Sequence, residues 1–102
     1  MSVFNAGAVV TLDEAQKLVK AFQAQFPNEI KSSLIDTVLV SRLLSQADCV
    51  GLRIYNGYDL VAKRMSPVLV GVNSKKEDMT DGILLDRMVP CPSDCPTSSK
   101  LL

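Results

Sequence analysis

The chain has 102 residues, 47% of them apolar and 22% charged, with lysine plus arginine and aspartate plus glutamate balanced at 11 each. That composition fits one globular domain, 1–102, long enough to bury a core without a metal or a disulfide. It offers no net positive field to a polyphosphate, so nucleic-acid binding is not expected. With no histidine, imidazole acid–base catalysis, Ser-His and Cys-His nucleophiles and most zinc sites are excluded, and no tryptophan offers a base-stacking platform.

Residues 1–10 read as an N-terminal arm with a short strand at Val9-Val10. The arm lacks a basic leader and an apolar core of about 7–15 residues, so a signal peptide is not expected. No apolar run approaches the roughly 20 residues of a membrane span, and the cytoplasm is the expected location. Thr11-Leu12-Asp13-Glu14 has the spacing of a helix start: Thr11 caps, Glu14 reaches back, and both acids favour the positive end of the dipole. Leu12, Ala15, Leu18, Val19, Phe22 and Phe26 continue as a helical stripe, which Pro27 stops. Ser33 and Asp36 repeat the capping spacing ahead of a second apolar stripe, Leu34 to Ala47. Thr37, Val38 and Val40 favour a strand, but consecutive apolar pairs and a length of about 14 residues predict a helix. Its stripe is wide enough to touch two partners.

From Cys49 the period changes to two. Val50, Leu52 and Ile54 form the expected inward set, with Arg53 and Tyr55 on the other face. Val68-Leu69-Val70-Gly71-Val72 alternates again, with Val68, Val70 and Val72 inward and Leu69 and Gly71 outward. Between these strands, Asn56-Gly57 suits a tight turn. A longer loop around Ala62-Lys63-Arg64 is preferred, since Tyr58 to Val61 then extend the first strand. Ile83 to Val89 makes a third strand, and Pro90, Pro92 and Pro96 end regular structure in a Pro/Cys-rich tail, 90–102. The expected fold is α+β: two N-terminal helices packed on one face of a C-terminal antiparallel sheet of three to four strands.

Few residues suggest chemistry. Arg53 and Tyr55 project together and suit a carboxylate ligand or an interface, unless Arg53 is neutralised by an acid such as Asp86. Cys91 and Cys95, framed by three prolines, lack the CxxC spacing. They are incidental thiols, a disulfide or redox-sensitive pair, or, with Cys49 and Asp94, a metal site. The acids Glu77, Asp78 and Asp81 lack the alternation of a calcium loop and read as a solvated loop.

Three segments together carry a resemblance: Cys49-Val50-Gly51-Leu52-Arg53-Ile54-Tyr55, Val68-Leu69-Val70-Gly71-Val72, and Asp86-Arg87 before Pro90-Cys91-Pro92 and Cys95. The chain resembles, over residues 26–96, a set of small uncharacterised bacterial proteins with a Gly-x-Arg-x-Tyr strand, a Val-Gly-Val strand and a Cys-Pro-rich end. The resemblance implies a bacterial origin and a Cys-Pro end integral to the domain; it implies no activity. The expected function is a non-enzymatic binding or protein-interaction module, a homo-oligomer and most simply a dimer, without cofactor, metal, nucleic acid or membrane. The alternative is a thiol-based redox-sensitive or metal-handling protein using Cys91 and Cys95.

Overall fold

The computed structural model describes residues 4–102. The first three residues of the expected arm lie outside the described residues. The fold has two helices and antiparallel sheets, and the chain divides into two compact units, one made of the residues up to Ser33 with Pro90–Leu102, the other of Leu34–Val89.

In the first unit, Asn5 and Gly7 take left-handed φ values of 53° and 96°, and no strand forms at Val9-Val10. Helix α1, Leu12–Gln25, begins as its sequence dictates: Thr11 is extended and its Oγ1 accepts from the Glu14 N–H at 3.1 Å. It ends at Phe26, whose N–H donates to the Phe22 carbonyl, just before Pro27. The Phe22 and Phe26 rings lie 5.1 Å apart. No side chain of α1 is buried, so its stability rests on local terms such as the cap. Thr11→Ala is therefore expected to cost about 0.5–2 kcal/mol of helix stability. Unchanged helical circular dichroism and an unchanged unfolding midpoint would count against the cap.

Strand β1, Ser32–Leu34, pairs with the last strand, Val89–Cys91. This corrects two expectations. Ser33 lies in a strand rather than at a helix N-cap, and Pro90 lies within a strand rather than ending regular structure. A proline fits there because its missing N–H is tolerated in an edge strand.

In the second unit the second helix, α2, is only Thr37–Leu44, with Asp36 as N-cap. The expected helix is shortened at both ends: Leu34 belongs to β1, and after Leu44 the chain turns, with the Gln46 N–H donating to the Leu43 carbonyl and the Cys49 N–H to the Gln46 carbonyl. Strands β2 (Gly51–Tyr55) and β3 (Tyr58–Asp59) form one arm of a hairpin, and β4 (Arg64–Met65) and β5 (Val68–Val72) the other. The register is the same throughout, from Asp59↔Arg64 to Gly51↔Val72, and the Ser66 N–H donates to the Gly57 carbonyl between the two ladders. The longer loop, Leu60 to Lys63, is thus the one formed. Asp59 Oδ1 accepts from the Val61 and Ala62 N–H groups there, and Lys63 supplies a φ of 57°. Gly57 is needed at the close crossing: a Cβ would sit 2.3 Å from the Ser66 carbonyl oxygen.

Strand β6, Leu84–Leu85, lies on the far side of β5, giving a three-stranded sheet in the order β2-β5-β6. The predicted third strand is cut short because Arg87 turns with φ 57°, and its last residue, Val89, begins β7, Val89–Cys91. Helix α2 packs on β5, where Leu43, Leu69 and Leu85 form the core, flanked by Ile35, Cys49, Ile83 and Met88. Gln46 ties the helix end to the sheet: its Nε2 donates to the Leu43 carbonyl and its Oε1 accepts from the Ile83 N–H, both at 2.8 Å.

The faces differ from those expected. Opposed residues share a face, and Leu52 opposes Gly71, Ile54 opposes Leu69, and Arg53 opposes Val70. Leu52 and Ile54 therefore lie with Leu69 on the α2 face, while Val68, Val70 and Val72 share the face of Arg53 and Tyr55. The expected inward set of β2 is largely exposed, Ile54 at 61%, whereas β5 is buried on both faces, Leu69 at 6% and Val70 at 2%.

Candidate functional site

Arg53 and Tyr55 do project together, as strand periodicity requires. What meets them is Asp78. The loop after β5 folds back on Asn73, whose Oδ1 accepts from the Lys75 and Glu77 N–H groups. The Met79 N–H then donates to the Gly71 carbonyl, and Asp78 bridges Val72. Val72 already pairs with Gly51 on one side, so Asp78 flanks β5 on the side away from β2.

The Arg53 guanidinium donates to Asp78 Oδ1 at 2.5 Å, and the Tyr55 hydroxyl donates to Asp78 Oδ2. These bonds span β5, so the Arg53 stem and the Tyr55 ring lie over its valine face. That accounts for how Val70, expected inward, is buried on the face it shares with Arg53 and Tyr55. Asp78, not Asp86, neutralises Arg53; Asp86 accepts instead from the Ser66 hydroxyl at 2.6 Å. The partner was hidden because Asp78 belongs to an acidic run that reads as solvated loop.

The electrostatics follow. The Tyr55 hydroxyl and then the Arg53 guanidinium hold the Asp78 carboxyl below its ordinary 3.8. The hydrogen bond to Asp78 raises the Tyr55 phenol above 10.0. A carboxylate lowered on folding stabilises the fold above its unfolded value and loses that contribution as pH falls through the folded one. A phenol raised on folding contributes below its unfolded value and loses that contribution as pH rises through the folded one. The clasp is therefore expected to hold from above the carboxylate range up to the alkaline range. In a Tyr58→Phe background, ultraviolet titration of Tyr55 should shift downward on Asp78→Asn; an unmoved titration would show that the clasp does not form in solution.

Other groups are differently placed. Cys91 and Cys95 form a disulfide with Cα atoms 4.8 Å apart, inside the usual window of about 4.4–6.8 Å. The Asp94 N–H closes the turn onto the Pro90 carbonyl, and Cys91 is only 1% exposed. Cys49 is the free cysteine. Among the described residues no group of three or more Cys, Asp or Glu is placed to hold a metal ion. A cleft of about 110 Å³ beside Asp86, Arg87 and Leu39 is smaller than the roughly 300 Å³ at which ligand pockets begin. Among the described residues no helix is long and apolar enough to cross a membrane.

No protein-family model matches the chain, and neither a curated protein nor a solved structure does.

Proposed function

We propose that the chain is a non-enzymatic protein-interaction module that works as a homodimer in the cytoplasm of a bacterium. One observation carries this reading. Among the described residues six apolar side chains are buried, while twenty large ones are exposed. Exposed apolar residues scattered singly are ordinary, but neighbouring ones mark surfaces that another molecule covers. Here they run along connected segments: Leu52, Ile54 and Tyr58 down one hairpin arm, and Leu60 and Val61 at its tip. The polar clasp adds no nucleophile and leaves Arg53 neutralised, which favours scaffolding over catalysis.

Light scattering tests the reading. A dimer mass at high micromolar concentration is expected, since symmetric pairs are the commonest way to bury such surface. A monomer throughout that range removes it.

The Cys91–Cys95 bond favours a second reading, a thiol-based redox-sensitive protein. Cytosolic disulfides are usually transient and redox-sensing. Under that reading one thiol reacts before reduction and three after it. Three reactive thiols without reductant, or bound zinc or iron, would set the disulfide form aside.

A further inference from the structure

The β2–β3 arm is one edge of its sheet, and the ladder says which backbone groups that edge presents. On β5, the Gly71 carbonyl accepts from Met79 on the side away from β2. Successive residues of a strand direct their N–H and C=O groups to opposite sides. Val68, Val70 and Val72 therefore turn theirs toward β2, where they meet Tyr55, Arg53 and Gly51. The Ser66 N–H bonding the Gly57 carbonyl continues the same parity. Leu52, Ile54, Asn56 and Tyr58 are left with backbone groups directed outward, at an edge that no strand of the described residues pairs.

Natural edge strands are usually blunted by lysine, proline, a bulge or a covering element. This one has none of the first two from Gly51 to Asp59, and its one cation, Arg53, is matched by Asp78. Its side chains on the α2 face stay uncovered: Ile54 is 61% exposed and Tyr58 57%.

We propose that this edge pairs with the same edge of a second copy, antiparallel, about a two-fold axis at Asn56. The inference rests on the homodimer reading and specifies its interface. The apolar side chains of the edge select the register. Centred on Asn56, it sets Ile54 opposite the partner's Tyr58 on the uncovered α2 face, while Arg53 and Asp59 keep their own partners, Asp78 and the Val61 and Ala62 N–H groups. An aromatic side chain opposite a β-branched one favours the ladder. Centring on Arg53 would instead leave Tyr58 opposite the partner's Asp48, beyond the end of β2. The outward backbone groups of Ile54, Asn56 and Tyr58 would bond those of the partner's Tyr58, Asn56 and Ile54. The two three-stranded sheets then become one of six. The chain's zero net charge sets no long-range repulsion against self-association.

Two variants test the interface, both read by light scattering and by unfolding in urea. Ile54→Lys places a gatekeeper charge at an exposed position. It should lower the mass from dimer to monomer and still unfold in one cooperative transition, at the midpoint that the wild type reaches when diluted to monomer. Asn56→Cys, made with Cys49→Ser, places two thiols on the axis. Opposed hydrogen-bonded residues lie about 5.5 Å apart between Cα atoms, within disulfide reach. A covalent dimer should form on mild oxidation, while Leu60→Cys in the same background should give none. If the wild type is a dimer, but Ile54→Lys stays dimeric and Asn56→Cys does not cross-link, this interface is wrong and the homodimer reading survives. If the wild type is a monomer, both fall.

Discussion

Leu69→Asp is expected to leave no soluble folded protein, whereas Val70→Asp should be weakened but still fold. Both residues are buried in the central strand, at 6% and 2% exposure. Burial alone would rank Val70 as the worse site. The register ranks them the other way. Leu69 lies between Ile54 and Leu85 and packs against Leu43, so a carboxylate there meets only hydrocarbon. An unpaired buried carboxyl, charged or forced to stay protonated, costs several kcal/mol, a large share of the roughly 5–15 kcal/mol that separate most folded domains from unfolding. Val70 is directly opposite Arg53, whose guanidinium can turn to a new carboxylate at the expense of Asp78. Soluble yield and the urea midpoint of the two variants give the ranking. Val70→Asp proving the more damaging would mean that the two faces of β5 are assigned the wrong way round.

Those two faces also show what the sequence made legible and what it did not. Alternation identified β2 and β5 as strands, and the capping pattern placed α1 to within a residue. Alternation cannot say which face of one strand meets which face of the next. That depends on the parity of the connection. The loop from Leu60 to Lys63 pairs Asp59 with Arg64, so odd-numbered residues oppose even-numbered ones along the whole hairpin. An inward set built from even numbers on both strands is thereby broken, because a shift of one residue turns every side chain over. Since Val68 to Val72 is apolar on both faces, nothing in that segment resisted either assignment.

The site was half legible for a related reason. Arg53 and Tyr55 are neighbours by strand period, but their partner comes from a loop whose conformation rests on Asn73 and on a left-handed Lys76, at φ 66°. Such a loop leaves only a weak trace in sequence, an asparagine at its start. The cysteine pair was legible as a pair, and its alternatives were separated only once the turn from Pro90 to Asp94 was known. Gln46 gave no signal: it lies within the stripe expected to run to Ala47, and only the helix's end at Leu44 frees it to hold that end to the sheet.

Leu43→Ala is expected to destabilise the chain by about 2–5 kcal/mol, and Leu44→Ala by about 0.5 kcal/mol or less. The residues are adjacent and chemically identical, so helix propensity cancels between them. What differs is burial: Leu43 is 0% exposed and Leu44 46%. Helix α2 has eight residues, too few to persist without tertiary contacts. Leu43 is its buried side chain, set against Leu69 and Leu85, and truncation leaves a cavity that the short helix can close only by shifting. A shift would strain the Gln46 bonds to the Leu43 carbonyl and the Ile83 N–H, so the loss should exceed that of the methyl groups alone. Urea unfolding gives the comparison, with a lower midpoint at unchanged slope reporting lost stability. Equal midpoints for the two variants would mean that α2 does not dock through Leu43.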